Sequence, residues 1–582
     1  MRTTIIELLT VSVWLMCSSW PVLSAEGADT ARHEIVLADM SRCKPAAALT
    51  DLNKKHHWRL VSYTTVAPKF NGIMICAGQA SEAPPVVLPL DVKGWYSVYV
   101  GYWNPIWAYD SGTAIRLKLT GEPSFMPIVD PDQGTGYTGT RLTEAFWKDA
   151  DLTGRDLVIA QREKKAFVAY IRLVPLSDEQ VRDIKADRQR KSTRFIVAAY
   201  DGGLFGRKMT TREDIVELVE RYRHSDVAKL IWNVAYGDMT NYPSKVGYLL
   251  STGEDGVGNH AEEMSIDNLK ALLSKGIVPV QVALEHTHRL GMKFDIYFRM
   301  AIQGSTPPFQ LHPKSFVRRH PEFRIVSKNG VAVPKASYAF PQTRQFMLSL
   351  IREATERFDV DGVQLCFIRG PEYIGYEQPV VDDFKKKYGE DPRSVAEDDP
   401  RLLELRASYV TELVRGVRSL IDEISSNKGK KIELDAIVYW SIPLNLAWNM
   451  DVETWIKENL LDSVTGASGK LYDLAKAHGC KRYWGVGGRS PENYIRKSLA
   501  AMRNEADGLF VWDMDGPQDH LLDWQIIRRA GHRKQLEAWE KRLPELPKAW
   551  TGTHQLLTVG GVDVTQTTTN PNGRILWLYS GG

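Results

Sequence analysis

The sequence FDVDGVQLCFIRGPEYIGYEQPVVDDFKKKYGEDPR occupies residues 358–393. Its Asp-Val-Asp-Gly opening predicts a turn that ends a helix, because Asp and Gly tolerate the sharp backbone angles needed there. Residues 363–368 form a short run that is apolar apart from Gln364, which is the length of a buried parallel strand. A polar loop rich in Arg, Glu and Tyr follows, and residues 380–388 return to helical spacing. A strand that opens at its carboxyl end into such a loop is typical of the active sites of (β/α)₈ barrels.

Seven further runs of similar length are distributed along the chain, as a barrel of eight parallel strands requires. They are residues 195–201, 227–235, 293–301, 432–440, 462–466, 482–487 and 508–514. Segments with helical spacing alternate with them, at residues 212–223, 265–274, 278–290, 343–358, 401–426 and 520–543. We therefore predict that residues 194–545 form an α/β (β/α)₈ TIM barrel with enlarged loops.

The region before the barrel lacks long helical patterns. Short alternating or apolar runs occupy residues 58–63, 86–90, 95–102, 114–119, 156–160 and 166–174. Such strands predict an all-β sandwich domain over residues 26–176. Its aromatic residues either form a sugar-stacking surface or fill the sandwich core: Trp95, Tyr96, Tyr99, Tyr102, Trp103 and Trp107. Residues 177–193 predict a linker helix, and residues 546–582 predict a C-terminal β segment that packs on the sandwich or belongs to a domain cut short.

The composition is that of an ordinary soluble protein, with 43% hydrophobic and 25% charged residues. A net charge of +3 in 582 residues gives no reason to expect a nucleic-acid partner. Residues 1–25 read as a secretory signal peptide, with Arg2, an apolar stretch and the small residues Ser24 and Ala25. We expect a secreted or periplasmic protein whose mature chain has no membrane-spanning segment. The sequence specifies no oligomeric state.

Cysteine usage argues against a disulfide scaffold, because only four cysteines follow the signal peptide. Cys43 and Cys76 lie in the same region and are candidates for a disulfide, whereas Cys366 and Cys480 are expected to be buried free thiols. No Cys/His spacing resembles a zinc site, and no phosphate-binding glycine loop is present. The sequence predicts no metal and no cofactor.

Three motifs are familiar. HPEFRIV at residues 320–326, YAFPQTRQFMLSLIREATERFDVDGVQL at residues 338–365 and RGP at residues 369–371 resemble the glycosyl-hydrolase-like 10 family, over roughly residues 194–532. The resemblance implies a secreted barrel protein that acts on polysaccharides. Family members end the fourth strand with acidic residues where this chain has Cys366 and Phe367. Since hydrolysis of a glycosidic bond requires two carboxyl groups, any such pair must come from other positions.

Six acidic residues are predicted at or just beyond the carboxyl ends of strands: Asp201, Asp238, Glu372, Glu377, Asp513 and Asp515. We predict Glu372 or Glu377 as the proton donor, because the neighbouring Tyr373 and Tyr376 would raise the pKa of a carboxyl group by desolvation. Asp513 is then the second carboxylate, kept ionised by Arg369 or Arg299, and acts as nucleophile or as the base that activates water. The alternative for the two glutamates is a role as surface acids on a loop that caps a helix.

A second set of residues is predicted to hold the sugar. Tryptophans near strand ends offer flat apolar surface to pyranose rings, or pack beneath the loops: Trp440, Trp484 and Trp512. Arg299 on the third strand needs an acidic partner if it is buried, and Arg369 offers a fork for a carboxylate or a hydroxyl. Asp201 and Tyr373 complete the predicted substrate-binding set.

The leading hypothesis is a secreted glycoside hydrolase that acts on a polysaccharide or oligosaccharide. The second is a barrel that binds glycan without catalysis, because the fourth-strand acids are absent. The third is a polysaccharide lyase, in which Tyr373 or Tyr376 serves as base and Arg299 or Arg369 neutralises a uronate. Carboxylates that face one pocket favour hydrolysis, whereas a pocket lined only by Arg, Tyr and His favours a lyase.

Overall fold

The computed structural model describes residues 33–104, 112–130, 141–162, 164–202, 204, 207–251, 260–303, 312–486, 490–514, 521–543, 551–563, 568–569 and 575–576. The predicted signal peptide, Trp107 and Asp515 lie outside the described residues, so the secretory signal stays a prediction. No helix in the described ranges is long and apolar enough to cross a membrane.

Eight parallel strands close into a barrel, which confirms the predicted fold class. In chain order they are Ile196–Tyr200, Val227–Tyr236, Lys293–Arg299, Gly362–Cys366, Glu433–Ile437, Ser463–Thr465, Lys481–Gly485 and Gly508–Val511. The ring closes because the first strand pairs with both the second and the eighth, through Ala198↔Leu230 and Ala198↔Val511. Two short strands, Met239–Thr240 and Tyr248–Leu249, extend the sheet from the second strand.

Helices connect the barrel strands and cover their outer face. They span Arg212–Glu220, His260–Leu273, Pro279–Arg289, Phe316–Arg319, Pro341–Arg357, Gln378–Tyr388, Pro400–Lys428, Ile442–Ala447, Val452–Lys457, Gly469–Ala477, Pro491–Arg503, Leu521–Ile527 and Arg533–Glu540. One hairpin, Arg324–Val326 with Ala332–Ala336, lies in the connection between the third and fourth strands. The large apolar cluster between strands and helices accounts for most of the buried hydrophobic residues.

Side chains fill the inside of the barrel in layers, because successive residues of a strand point to opposite faces. The middle layer is mostly apolar and contains Ile231, Tyr297, Cys366, Ile437, Tyr483 and Phe510. The layer beneath it is charged, with Lys229 Nζ 2.5 Å from Asp295 Oδ2 and 3.0 Å from oxygens of Glu433 and Asp435. The buried lysine is thereby compensated by three acids at the amino-terminal end of the barrel.

The region before the barrel consists of two β-sheets. The larger contains Ile35–Leu37, Leu49–Thr50, Trp58–Thr65, Asn71–Ala77, Trp95–Trp103, Arg141–Asp151 and Ala166–Pro175, and the smaller contains Val86–Leu88, Thr113–Leu119, Ile128–Asp130 and Leu157–Gln161. Residues from both sheets form one core, in which Tyr96 and Tyr102 are buried. This all-β arrangement before the barrel is the one predicted, and these two aromatic residues fill its core.

The chain returns to this region after the barrel. The strand Thr551–Val559 pairs with Arg141–Asp151 on one side and with Trp58–Thr65 on the other. It therefore joins the two ends of the larger sheet, and Leu556 is fully buried inside the resulting ring. The short strand Val562–Asp563 pairs with Thr551–Val559, and Thr568–Thr569 pairs with Ile575–Leu576.

The disulfide considered for Cys43 and Cys76 is absent, because both are free and buried thiols. Cys43 belongs to the core between the two sheets, whereas Cys76 belongs to the cluster inside the ring of the larger sheet. The two sulfur atoms thus lie in different cores. Cys366 and Cys480 are buried free thiols, as predicted.

The helix Asp178–Gln189 connects the β-rich region to the barrel and contacts both. Ser177 caps it through a reciprocal pair of hydrogen bonds with Gln180. Asp187 near its end accepts hydrogen bonds from His532 and Arg529, both of which follow the last barrel strand. A second link joins Arg116 of the smaller sheet to the buried Glu217 on the first barrel helix, at 2.6 Å.

Candidate active site at the barrel mouth

The carboxyl ends of the eight strands bring several predicted site residues to one end of the barrel. Asp201 directly follows the first strand, Arg299 is the last residue of the third, and Trp512 directly follows the eighth. The carboxyl ends of parallel strands form a common rim in a barrel, which is where such folds build their sites. We call this rim the barrel mouth.

Asp201 is the most heavily bonded acid of the mouth. Arg299 Nη2 lies 2.8 Å from its Oδ1 and 2.5 Å from its Oδ2, and the Tyr297 hydroxyl donates to Oδ1. Tyr236, the last residue of the second strand, donates its hydroxyl to the Asp201 carbonyl oxygen at 2.7 Å, and its ring packs 4.6 Å from the Arg299 guanidinium. The acidic partner predicted for Arg299 is therefore Asp201.

This network fixes the protonation of its members. Burial and the Asp201 carboxylate raise the pKa of Tyr297 well above its ordinary value, so Tyr297 remains a hydrogen-bond donor at neutral pH. Burial tends to lower the pKa of Arg299, but the charge of Asp201 outweighs burial and raises it. A carboxylate that faces a fixed guanidinium and a fixed hydroxyl is held in one orientation.

Trp512 forms the floor of the mouth. Its ring packs on Tyr297 and Phe510, with centroid distances of 5.9 and 5.7 Å. The Arg369 guanidinium lies 5.0 Å from its ring centre, so the fourth-strand loop reaches the end of the eighth strand. Both of the arginines predicted to keep Asp513 ionised are engaged elsewhere: Arg299 with Asp201, and Arg369 with this ring.

Asp513 directly follows Trp512 and is half-buried. Its φ of 47° places it in the left-handed region, which a residue other than glycine adopts at a cost. Ala198 of the first strand pairs with Val511 of the eighth. Asp201 follows Ala198 by three residues, and Asp513 follows Val511 by two. The two carboxylates therefore end adjacent strands on the same rim.

The loop after the fourth strand separates the predicted residues into exposed and buried ones. Glu372 and Arg369 are exposed, whereas Tyr373 and Glu377 are each only 1% exposed. The Tyr373 hydroxyl donates to the Phe367 carbonyl oxygen at 2.6 Å, so this predicted sugar contact is a core residue. Its burial follows from the turn of the loop, which folds back over the apolar layer around Phe367.

Glu377 anchors this loop. Its carboxylate accepts the backbone N–H groups of Gly375, at 2.9 and 3.0 Å, and of Val326, at 3.1 Å. Burial raises the pKa of Glu377 in spite of these hydrogen bonds. Glu377 is therefore a buried structural acid of the loop, and not the surface acid of the alternative interpretation. Glu372 is the candidate proton donor that remains solvent-accessible.

The other two tryptophans differ in orientation. Trp440 follows the fifth strand and is 60% exposed, so its ring is available as a platform. Trp484 lies on the seventh strand next to Tyr483, which points into the barrel, and it packs outward on Tyr472 of a covering helix at 5.6 Å. The alternation of a strand thus removes Trp484 from the predicted sugar-binding set.

Two residues of the mouth were not predicted. Tyr297 lies two positions before Arg299 on one strand and therefore shares its face, which is a signal that the sequence contains. Tyr236 ends the second strand, where the same strand-end rule that selected the other candidates applies. Both hydroxyls donate to Asp201.

Asp238 lies in the loop after the second strand and is buried. Its Oδ2 accepts the backbone N–H of Phe316 at 2.5 Å, and burial raises its pKa to about 6. This acid therefore joins two loops below the rim. Across the described ranges, no group of three or more His, Cys, Asp or Glu side chains is arranged to hold a metal ion.

Comparisons with solved structures return glycoside hydrolases. An α-L-fucosidase from Paenibacillus thiaminolyticus matches at 14% identity and a TM-score of 0.39, over 60% of this chain and 50% of that one, so the match spans half the length of the fucosidase. The PgaB (BpsB) glycoside hydrolase domain from Bordetella bronchiseptica matches at 12% identity and a TM-score of 0.40, over 57% of this chain and 97% of that one. An exo-β-N-acetylglucosaminidase from Vibrio harveyi matches at 9% identity and a TM-score of 0.38, over 75% and 66% of the two chains.

A search of curated protein sequences found no significant match. The family comparison agrees with the motifs quoted from the sequence: residues 214–467, which include the second to the sixth barrel strands, match the family model described as Glycosyl hydrolase-like 10.

Proposed function

We propose that the protein is a secreted glycoside hydrolase that acts on a polysaccharide or oligosaccharide at the barrel mouth. The observation that carries this proposal is the pair Asp201 and Asp513, two acids that end adjacent strands beside the Trp512 ring. Carboxyl groups on a common rim are the groups that cleavage of a glycosidic bond needs, and an aromatic floor suits the apolar face of a sugar ring.

The mouth divides the roles between fixed and accessible acids. Asp201 is fixed by Arg299 and Tyr297, so it serves as an ionised carboxylate that orients a sugar hydroxyl or stabilises developing positive charge. Asp513 serves as nucleophile or as the base that activates water. Glu372 is exposed in the free protein, so the desolvation that a proton donor requires would come from the bound saccharide.

The contacts of the mouth favour hydrolysis over lyase chemistry. Both tyrosines proposed as the base of a lyase, Tyr373 and Tyr376, are buried, and Tyr373 already donates its hydroxyl proton to a backbone carbonyl. Arg299, one of the cations that would neutralise a uronate, is paired with Asp201. A binding barrel without catalysis remains the alternative result of the experiment, because Cys366 ends the fourth strand where the resembling family has an acid.

The test is a turnover assay of the purified protein on a panel of neutral, amino and acidic oligosaccharides. Once a substrate is found, Asp513→Asn and Glu372→Gln should each lower kcat by a factor of about 10² to 10⁴, because each removes an acid/base or nucleophilic group. Asp398→Asn and Glu397→Gln, on an exposed loop after the helix Gln378–Tyr388, are the matched controls and should retain full activity.

Two outcomes would contradict the proposal. Turnover by Asp513→Asn close to that of the wild type would exclude its assignment as a reacting carboxylate. Binding of oligosaccharides by the wild type without any turnover would establish the binding barrel instead. Thermal unfolding of every variant distinguishes loss of chemistry from loss of fold.

A further inference from the structure

A cavity of about 1010 Å³ lies far from the mouth, between the β-rich region, the helix Asp178–Gln189 and the amino-terminal end of the barrel. Its walls include Trp95 and Asp149 from the larger sheet, Arg188 from the connecting helix, and His224 and Arg528 from the barrel. The barrel residues belong to the segments that precede the second strand and follow the helix Leu521–Ile527, which places the cavity at the end opposite to the catalytic rim. Cavities of this size hold ligands as large as a small oligosaccharide.

Arg528 faces this cavity without a counter-ion. Within the described part of the chain, no carboxylate lies within ion-pairing distance of its guanidinium. The guanidinium carbon lies 5.6 Å from the centre of the Phe146 ring. Asp149 and Asp226 act on it through their charge, but neither forms an ion pair with it. Arg528 is half-buried, and burial followed by the charge of Arg529 lowers its pKa to about 10.

Arg188 is the second arginine of the cavity that pairs with no acid of the described ranges. It donates to the backbone carbonyl oxygen of Asp149 at 2.6 Å and lies 5.2 Å from the Trp95 ring centre. Other arginines of the same wall are neutralised, as Arg223 is by Glu220 and Arg529 by Asp187. Because Arg188 and Arg528 form no ion pair with the described residues, the wall of the cavity has a surplus of positive charge.

The pKa of His224 is lowered by burial and by these positive charges. Its ring opens onto the cavity, and partial burial together with Arg188, Arg223 and Arg528 lowers its pKa to about 3. Two desolvated guanidinium groups without counter-ions reduce the stability of a protein unless something compensates them. A guanidinium fork binds a carboxylate, sulfate or phosphate through two parallel hydrogen bonds, which a water molecule cannot reproduce.

We propose that this cavity is a second binding site, distinct from the barrel mouth, for a small ligand that carries an oxyanion group held by Arg528 and Arg188. The oxyanion comes from the carboxylate of an acidic sugar or from a free sulfate or phosphate ion. The aromatic residues of the wall, Trp95 and Trp524, offer surface to a sugar ring attached to it. This site does not depend on the hydrolase proposal.

The experiment measures binding to the full-length protein by calorimetry and by the shift in its thermal unfolding midpoint. The probes are sodium glucuronate, inorganic sulfate and inorganic phosphate, with glucose as the neutral control and sodium chloride at matched ionic strength. We expect at least one oxyanion to bind and to raise the midpoint, whereas glucose and chloride leave it unchanged. Preference for glucuronate identifies an acidic sugar, and equal binding of sulfate or phosphate identifies a free oxyanion.

Variants decide whether the cavity is the site. Arg528→Gln and Arg188→Gln should each weaken binding about tenfold or more, and Arg528→Lys should weaken it as well because an ammonium group lacks the fork. Arg496→Gln, at an exposed arginine on the helix Pro491–Arg503, should bind like the wild type.

A structural arginine would give a different pattern. Without added oxyanion, Arg528→Gln should unfold at the same temperature as the wild type or higher, because it removes a half-buried charge that has no counter-ion among the described residues. The proposal is overturned if none of the three oxyanions binds at millimolar concentration, or if Arg528→Gln and Arg188→Gln both bind as tightly as the wild type.

Discussion

Among single residues, Asp201 organises the barrel mouth because the second and third strands both contribute to its contacts. Its carboxylate meets the Arg299 guanidinium and the Tyr297 hydroxyl, and its backbone carbonyl accepts from Tyr236. The pair Arg299 and Asp201 is only partly accessible, with 25% and 19% of the side chains exposed. An ion pair that is mostly withdrawn from water depends strongly on the presence of both partners.

A double-mutant cycle tests that dependence. Asp201→Asn and Arg299→Met should each destabilise the protein, and the double variant should lose less than the sum of the two, with a coupling free energy of about 1–3 kcal/mol. The reason is that each single variant leaves one partially buried charge without its partner. Urea unfolding of the four proteins provides the measurement, and strictly additive losses would show that the two side chains act independently.

The elements of the barrel were predictable, but the faces of some side chains were not. All eight strands were predicted from short apolar runs that alternate with helical segments, because a parallel strand buried on both faces has few other compositions. Trp484 shows the limit: one step along a strand decides whether a ring faces the barrel interior or the helices, and strand register sets that step. The strands Asn71–Ala77 and Arg141–Asp151 were missed, although both lie inside the larger sheet; polar and charged residues interrupt the apolar pattern of Arg141–Asp151.

Irregular loops were the least predictable elements of the candidate site. Tyr373 and Glu377 have the composition of a functional loop, yet Tyr373 is buried against Phe367 and Tyr338, and Glu377 bonds Val326 of a hairpin that is remote in sequence. The charged layer around Lys229 is similar, because its carboxylates come from strands far apart in the chain. Periodicity carries no information about such long-range partners.

The anchoring role of Glu377 can be tested directly. Glu377→Ala leaves the N–H groups of Gly375 and Val326 without their acceptor, at a cost of about 1–3 kcal/mol for each buried group. Glu377→Gln keeps one acceptor oxygen and should lose less. We expect chemical denaturation to show this order of stability, while kcat of the folded protein stays within about twofold of the wild type. A loss of kcat comparable to that of Asp513→Asn, without a loss of stability, would return Glu377 to the catalytic set.

Asp238 should give its loops a pH-dependent stability. Burial raises its pKa from 3.8 to about 6, so the folded state holds a proton that the unfolded state releases. This acid therefore reduces stability as the pH rises from about 4 to about 6, and Asp238→Asn removes that loss. The variant should exceed the wild type at neutral pH by up to about 3 kcal/mol, and the difference should vanish below about pH 4. Asp398→Asn is the exposed control, and a variant less stable than the wild type at neutral pH would contradict the expectation.

In the whole molecule, the two ends of the barrel carry different chemistry. The carboxyl end carries the acids and the aromatic floor of the mouth, as barrels generally do. The amino-terminal end carries the charged layer around Lys229 and, at His224 and Arg528, the cavity wall that faces the β-rich region. The chain passes between the two units twice, once through the helix Asp178–Gln189 and once before the strand Thr551–Val559. The barrel and the β-rich region are therefore connected at two places and not by one flexible linker.

His532 is the titratable group that links these units. Its Nε2 lies 2.8 Å from Asp187 Oδ1 on the connecting helix, and its Nδ1 lies 2.7 Å from Asp226 Oδ2 at the start of the second barrel strand. Burial tends to lower its pKa, but the hydrogen bonds to Asp226 and Asp187 outweigh burial and raise the pKa above 6.5. A raised histidine pKa contributes stability that is fully present below about pH 6.5 and is lost as the pH rises through the folded-state value.

The wild type should therefore lose thermal stability relative to His532→Gln, which lacks the cation at every pH, as the pH rises from about 6.5 through the raised pKa of His532. The difference between their unfolding midpoints should be largest near pH 6 and should shrink as the pH rises, because only the protonated ring satisfies both carboxylates. His478→Gln, an exposed histidine with no described partner, should follow the wild type throughout. A constant difference between wild type and His532→Gln across this range would mean that the ring joins the two units by packing alone, and not through its charge.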